Sequence, residues 1–182
     1  QKLYIAYFNR PGDPSGINYW LSRYDQSFTL IEISKELQMQ DEYRESIVNQ
    51  NSFESQINQI YLNLFNRKSD SLALKYWIEM IKLKGYSISD IVYNILYSTH
   101  LNYATSSQQK EHDINTLGNK IVAAEIFTEE ISRSMTLINL YQPASLSPWN
   151  SGEALVKASK FLSTVGLEKV SVEKVKEVIS SF

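Results

Sequence analysis

The sequence predicts an all-α fold, in which two tandem related helical repeats are completed by a long helix and a C-terminal helical hairpin. Apolar residues recur at i, i+3, i+4 and i+7, the spacing that places them on one face of an α-helix. This spacing occurs in residues 17–24, 57–64, 74–81 and 88–95. No stretch alternates apolar and polar residues for long enough to indicate a β-strand.

A repeated pattern organises the first half of the chain. Residues 3–21, LYIAYFNRPGDPSGINYWL, align without a gap with residues 60–78, IYLNLFNRKSDSLALKYWI, at an offset of 57 residues. The identical pairs are Tyr4/Tyr61, Phe8/Phe65, Asn9/Asn66, Arg10/Arg67, Asp13/Asp70, Tyr19/Tyr76 and Trp20/Trp77. The pattern predicts a tandem helical repeat domain over residues 1–105, with copies at 1–49 and 50–105.

Turn residues predict where the helices of each copy begin and end. Asp13 precedes Pro14 and Asp70 precedes Ser71. Each aspartate is therefore expected to cap the first turn of a helix. Gly85 is expected to end the helix of the second copy, because glycine readily adopts the left-handed conformation found there.

Two regions follow the repeats. Residues 106–142 are predicted to form a long helix, from Ser106 to about Ser132, and an extension that packs on the repeats. Its expected apolar face consists of Ile114, Leu117, Ile121 and Ala124. Residues 142–152 contain Pro, Ser and Gly and predict a loop. Residues 151–182 are predicted to form a helical hairpin that breaks at Gly166.

Composition favours binding over acid–base chemistry. The chain of 182 residues has a net charge of −2 and no cysteine, which excludes disulfides and cysteine metal sites. Its basic residues are scattered, so a nucleic-acid partner is not expected. It contains 12 Tyr, 7 Phe and 3 Trp but only 2 His. Such a chain is well supplied with amphipathic contact surfaces and poorly supplied with general acids and bases.

Neither a membrane span nor a secretion signal is expected in these residues. No apolar run approaches the roughly 20 residues that a transmembrane helix needs. The N-terminal residues do not show the pattern of a cleavable secretory signal. We therefore expect that an export signal, if there is one, lies elsewhere, for example at the C-terminus of a longer chain.

No catalytic, cofactor or metal site is predicted. His100 and His112 are 12 residues apart and lack the i, i+4 spacing of helical metal ligands. The sequence has no glycine-rich phosphate loop and no nucleophile elbow. Asp13 and Asp70 are interpreted as helix caps, although weak calcium binding by these loops stays open because calcium prefers oxygen ligands.

The repeated motif resembles a helical domain family of bacterial surface-layer proteins, surface array proteins and type I-secreted repeats-in-toxin proteins. The family signature is an aromatic-rich helix, a Gly-Arg or Asn-Arg step, an Asp, a Gly, and Tyr-Trp in the next helix. The second copy carries it as Asn66-Arg67, Asp70 and Tyr76-Trp77, and the first copy has the same set. Gly16 matches the family glycine, whereas the second copy has Ala73.

A second motif strengthens the resemblance. Residues 118–128, GNKIVAAEIFT, look like the Asn-Lys-x-x-x-Ala-x-x-Phe-Thr helix that follows the repeats in such proteins. Residues 161–179 look like the segment that comes next, so the resemblance covers almost the whole chain. The helical unit is more distantly similar to the phycobilisome linker domain, a protein–protein scaffold.

The resemblance implies attachment to a cell surface. In surface-layer proteins of this type, the N-terminal part binds the O-antigen of lipopolysaccharide and holds the lattice on the outer membrane. The C-terminal part carries the lattice and the type I secretion signal. The implied partners are O-polysaccharide and other surface-layer subunits, outside the cell. A protein–protein assembly module is the alternative function, and an enzyme acting on surface glycans is a third.

Polysaccharide binding requires aromatic faces for C–H surfaces and polar groups for hydroxyls. Trp20 and Trp77 are expected in the core, whereas the adjacent tyrosines reach a groove edge. The two arginines of the motif are expected mainly to cover apolar surface and to bond helix-end carbonyls. The candidate glycan-binding residues are Tyr19, Tyr24, Tyr76, Arg10, Arg67, Tyr141 and Trp149.

Overall fold

The structure is a computed structural model that describes residues 1–47, 52–98, 106–143 and 151–182. Within these ranges it contains eleven α-helices and no strand, so the all-α class is confirmed. The helices are α1 (Lys2–Phe8), α2 (Pro14–Asp25), α3 (Leu30–Gln38), α4 (Asp41–Ile47), α5 (Phe53–Phe65), α6 (Ser71–Lys84), α7 (Ile88–Tyr97), α8 (Ser107–Ser132), α9 (Met135–Leu140), α10 (Glu153–Thr164) and α11 (Val172–Ile179).

Helices at corresponding positions of the two predicted copies pack on each other. α1 packs on α5 and α3 packs on α7. The amide of Asn63 in α5 donates to the carbonyl of Ala6 in α1 at 2.9 Å. The hydroxyl of Ser34 in α3 donates to the carbonyl of Ser89 in α7 at 3.2 Å. These bonds satisfy polar groups that would otherwise be buried alone. The tandem repeat of whole copies stays a prediction.

The long helix α8 organises the second half of the molecule. It runs from Ser107 to Ser132, close to the predicted bounds of Ser106 and about Ser132, and Ser106 is its N-cap. The predicted apolar face is partly wrong, because Ile114 is exposed. The buried positions are Thr116, Lys120, Ala123, Ala124, Phe127 and Ile131. This face packs on α5, α10 and α11, so the C-terminal hairpin shares the main core.

The Asn-Arg-x-x-Asp motif forms the same corner in both places. Asn9 ends α1 and Asn66 ends α5, each in the left-handed conformation with φ of 50° and 57°. Asn tolerates this conformation better than most residues. Both side chains reach the C-terminal hairpin. The Asn9 amide donates to the hydroxyl of Ser163 at 2.8 Å, and the Asn66 amide donates to the carbonyl of Val165 at 2.8 Å.

The arginine of each corner bonds an acid from a different helix. Arg10 donates to both carboxylate oxygens of Glu42 in α4, at 2.6 and 2.7 Å. Arg67 donates to both oxygens of Asp113 in α8, at 2.8 and 2.5 Å. Each also donates to the carbonyl of the following residue at 3.0 Å. Each guanidinium lies over the tyrosine six positions earlier, at 5.3 and 5.5 Å from the ring centre.

The two ion pairs differ in burial, which predicts different contributions to stability. The side chains of Arg10 and Glu42 are 2% and 14% exposed, and those of Arg67 and Asp113 are 21% and 15% exposed. Glu42→Gln leaves a buried guanidinium without its main counter-charge, so we expect a loss of about 3–5 kcal/mol in the free energy of unfolding. Asp113→Asn, the matched control, should cost about 1 kcal/mol because water reaches Arg67. Urea denaturation measures both, and equal losses would contradict this account.

Gly16 is one of the positions at which the two corners differ in sequence. A Cβ atom on Gly16 would lie 2.1 Å from the hydroxyl of Tyr4 and 2.9 Å from a carboxylate oxygen of Asp13. Tyr4 is buried at 6% exposure and cannot swing away freely. The second corner has Ala73 at this position, and Ala73 is buried. The first corner therefore requires glycine for a close approach.

We expect Gly16→Ala to lower the free energy of unfolding by about 1–3 kcal/mol, because the methyl group overpacks the corner. Gly118→Ala in α8 is the control, since a Cβ there meets nothing within 4 Å. It should raise the free energy of unfolding by roughly 0.5–1 kcal/mol through helix propensity. Thermal unfolding of both variants tests the pair, and stabilisation by Gly16→Ala would refute the close approach.

Candidate functional site

None of the twelve residues of helix α2 is buried. Its side chains Tyr19, Leu21 and Tyr24 are 55%, 57% and 53% exposed. A helix normally buries one apolar stripe against its neighbours. The stripe of α2 instead forms one wall of an open groove of about 430 Å³. We call this feature the α2 groove.

The α2 groove lies between α2 on one side and α1, α3, α7 and α8 on the other. The wall from α2 consists of Ile17, Trp20, Leu21 and Tyr24. The remaining lining residues are Gln1, Lys2, Leu3, Tyr4, Leu30, Ile33, Leu37, Tyr97, Ile121 and Glu125. The lining is mainly apolar and aromatic, which is typical of ligand sites that use a few polar groups for orientation.

The charges at the α2 groove are balanced. Lys2 and Glu125 are the charged side chains among its lining residues, one of each sign. The ammonium of Lys2 lies 5.4 Å from the centre of the Tyr97 ring, within cation–π range. Burial raises the pKa of Tyr97, with a smaller effect from Tyr93, so its hydroxyl stays protonated and can donate. The groove therefore suits an uncharged ligand.

The structure separates the predicted glycan-binding tyrosines. Tyr24 lines the α2 groove together with Trp20. Tyr19 lies on the same helix, packed edge-on against Trp20 at 4.8 Å between ring centres, but outside the lining. Tyr76 lies on α6, half-buried and edge-on to Trp77 at 4.9 Å. Trp149 lies outside the described residues.

Arg10 and Tyr141 do not belong to a surface site, which corrects the sequence prediction. Arg10 is 2% exposed and Tyr141 is fully buried. The Tyr141 hydroxyl donates to the carbonyl of Pro11 at 2.8 Å, and its ring lies 5.8 Å from the Arg10 guanidinium. Burial, opposed by the nearby Arg10, raises the pKa of Tyr141. Tyr141 was proposed from residue type and Arg10 from the repeated motif, and neither of these reveals burial.

Arg67 is half-buried and is held by Asp113, so its donors are largely used within the protein. Its pKa is raised mainly by the hydrogen bonds to Asp113. It does not line the α2 groove. The structure therefore assigns the motif arginines to the corners, in agreement with the expectation that they bond carbonyls and cover apolar surface.

The candidate residues proposed from the sequence do not include Trp20, Leu21 and Tyr97, which line the α2 groove. Trp20 was expected in the core, like Trp77. Trp77 is fully buried, whereas Trp20 is half-buried and lines the groove. The periodic stripe in residues 17–24 was recognised, but periodicity cannot tell a core-facing stripe from a groove wall. The available sequence signal for a groove wall was the run of large apolar residues in 17–24 beside polar neighbours.

Metal and membrane sites receive no support from the described ranges. No group of three or more His, Cys, Asp and Glu side chains there could hold a metal ion. Both oxygens of Asp13 accept hydrogen bonds, from Arg10, Ser15 and Gly16, and Asp70 caps α6 as predicted. No described helix is long and apolar enough to cross a membrane.

Comparisons with known proteins leave the family open. No protein-family model, curated protein or solved structure matches the chain. The resemblance to surface-layer anchor domains therefore stays a prediction.

Lys120 is a buried charge on the inner face of α8. Its side chain is fully buried, and its ammonium donates to the carbonyl of Asn63 at 2.6 Å. That carbonyl belongs to the last turn of α5, where the helix dipole favours a positive charge. Burial nevertheless lowers the pKa of Lys120 to about 8. Lys120 thus joins α8 to α5 and has no role at the α2 groove.

Burial of Lys120 predicts that stability increases with pH. Its pKa is about 8 in the folded chain and 10.5 ordinarily, so the unfolded chain binds more protons between these values. The free energy of unfolding should therefore rise from pH 8 towards pH 10.5, by an amount on the order of 3 kcal/mol. Lys120→Met should lack this rise. The difference between the two proteins is measured by urea denaturation at each pH, which cancels contributions from the buried tyrosines. Parallel curves would rule out the shifted pKa.

Proposed function

We propose that this chain is a non-catalytic anchoring domain of a surface-layer-type protein that binds the O-antigen of lipopolysaccharide. The observation that supports this function is the α2 groove, an open, aromatic-lined and charge-balanced groove whose outer wall is a helix without buried residues. A contiguous apolar stripe that is exposed on a stable domain marks an interaction site. We infer that a ligand covers the stripe of α2.

A polysaccharide fits the chemistry of the groove. The C–H faces of a sugar ring pack on flat aromatic surfaces, and Trp20 and Tyr24 supply two such surfaces next to each other on α2. Hydroxyl groups need donors and acceptors at the edge of the groove. The hydroxyls of Tyr24 and Tyr97, the ammonium of Lys2 and the carboxylate of Glu125 can serve there. A chain of neutral sugars would bind without leaving a charge unpaired.

The resemblance of the Asn-Arg-x-x-Asp and Tyr-Trp motifs to surface-layer anchor domains supports the cellular setting. In this proposal the chain lies outside the cell, is secreted by a type I system and is attached to the outer membrane through lipopolysaccharide. Other surface-layer subunits are the proposed protein partners. The α2 groove limits the choice of sugar by its size and its paired charges.

A protein–protein assembly module is the second candidate. The exposed apolar side chains of Tyr19 and Leu21 favour it, because these residues add to the uncovered surface of α2 beyond the groove. Such a surface would suit a neighbouring subunit of a lattice. Concentration-dependent self-association in sedimentation, without any glycan and abolished by Leu21→Ser, would support this candidate. An unchanged monomer would remove it.

Tyr24 and Tyr19 provide a matched test of the glycan site. They are on the same helix and equally exposed, but only Tyr24 is among the groove-lining residues. We expect Tyr24→Ala to weaken binding of purified O-polysaccharide about tenfold or more, the loss expected for an aromatic contact worth about 2 kcal/mol. Tyr19→Ala should change affinity less than threefold. Isothermal titration calorimetry measures both, with circular dichroism as the folding control.

Smooth and rough lipopolysaccharide supply the complementary comparison. The wild-type domain should be retained by cells that carry O-antigen and not by rough cells that lack it, with and without calcium. Equal retention on both cell types would overturn the proposed ligand. Equal loss of affinity in the two tyrosine variants would overturn its location in the α2 groove.

A further inference from the structure

The helices that follow the two corners, α2 and α6, pack differently from each other, although their sequences are closely related. In the second segment, residues 60–78, α6 packs directly on α5. Trp77 of α6 is fully buried and its ring nitrogen donates to the hydroxyl of Tyr61 in α5 at 3.1 Å. Ala73 is also buried. The helix pair α5–α6 is therefore closed by a tryptophan that fills the space between its two members.

In the first segment, residues 3–21, the corresponding helix pair is only partly closed. α2 touches α1 where Gly16 lies against the Tyr4 hydroxyl, and Trp20, the counterpart of Trp77, also bonds Tyr4. Otherwise α2 packs chiefly on α3 and α8, and Trp20 stays half-buried because it lines the α2 groove. Tyr24 occupies the position that Ile81 has in α6. The same local motif is thus partly open in the first segment and closed in the second.

The two ends of α2 are held with different strength. Asp13 caps the N-terminal end through the amide of Gly16 at 2.8 Å, and the carbonyl of Gly12 accepts from Thr128 of α8 at 2.6 Å. The C-terminal end, residues 24–27, is exposed throughout. It leads into Ser27, which has a left-handed φ of 73°, an unfavourable conformation for serine. Near this end the Arg23 guanidinium stacks 3.6 Å from the centre of the Phe28 ring, a contact within the same short segment.

We propose that the ligand site occurs once per chain, in the α2 groove, and that the C-terminal half of α2 is its movable wall. A sugar ring that enters the groove packs on the part of Trp20 that stays exposed. Closure of the C-terminal half of α2 over this ring buries Trp20, as Trp77 is buried in the closed pair. The identity of the ligand rests on the proposed function, whereas the movement of α2 does not.

Hydrogen exchange of the free protein tests the movable wall. The amides of residues 18–23 in α2 are compared with those of residues 75–80 in α6, which are their counterparts and also lie inside a helix. A helix without buried residues opens at lower free energy than one anchored in the core. We expect protection in α2 to be at least tenfold lower than in α6. Equal protection in the two helices would contradict the proposal that α2 is a movable wall, whether or not a glycan binds.

Titration with purified O-polysaccharide tests the single site. Short, monovalent fragments should saturate at one per chain and raise the protection of residues 18–23 while leaving residues 75–80 unchanged. Two fragments per chain, or saturation without added protection in α2, would overturn the proposal. If no fragment binds, the proposed function fails, and the exchange difference in the free protein still decides whether α2 is mobile. Trp20→Phe should weaken fragment binding several-fold. Leu83→Ala on α6, at an exposed position outside the α2 groove, is the control and should leave binding unchanged.

Discussion

The fold depends on how two helix ends are satisfied in the core. The last carbonyls of a helix lack partners within it, and a chain that turns sharply there must provide others. Asn9 and Asn66 make the turn by adopting a left-handed backbone, and their amides bond the C-terminal hairpin. The adjacent arginines bond the next carbonyl and bring α4 and α8 to the two corners. One short motif thereby connects distant parts of the chain.

Polar groups also specify how the second half docks. Lys120 brings the inner face of α8 to the last turn of α5, and Asn119 next to it donates to the carbonyl of Gly166 at 2.9 Å. An apolar core alone would permit several rotations of α8, because hydrophobic contacts are not directional. A buried ammonium that must find a carbonyl permits far fewer. The aromatic rings of Phe127, Tyr141 and Phe182 then pack around the fixed helix, with centres about 5–6 Å apart.

The contrast between α2 and α6 links this architecture to binding. Both helices begin at an aspartate cap and carry Tyr-Trp in the middle, but only α6 is closed on its partner helix. The groove beside α2 retains a mainly apolar wall with one positive and one negative side chain, and the proposed binding of a neutral ligand rests on these features. The described residues contain no group of three or more His, Cys, Asp and Glu side chains that could hold a metal ion. The proposed function therefore rests on a packing difference between two similar corners.

The sequence by itself determined the features that depend on neighbours within a few residues. These are the all-α class, the aspartate caps of α2 and α6, the helix end at Gly85 and the long helix from Ser107 to Ser132. Each follows from backbone hydrogen bonding or from side-chain spacing along one helix. The interpretation of the motif arginines as partners of nearby carbonyls succeeded for the same reason.

Only the tertiary structure decided which apolar and polar side chains face the core. Ile114 is exposed and Lys120 is buried on the same helix, while Tyr141 and Arg10 lie inside rather than at a binding surface. Trp20 and Trp77 have the same local sequence but differ in burial, since α2 and α6 pack on different helices. Burial depends on what lies opposite a helix face, and that partner comes from a distant part of the chain. Local spacing therefore cannot distinguish a core stripe from the wall of an open groove.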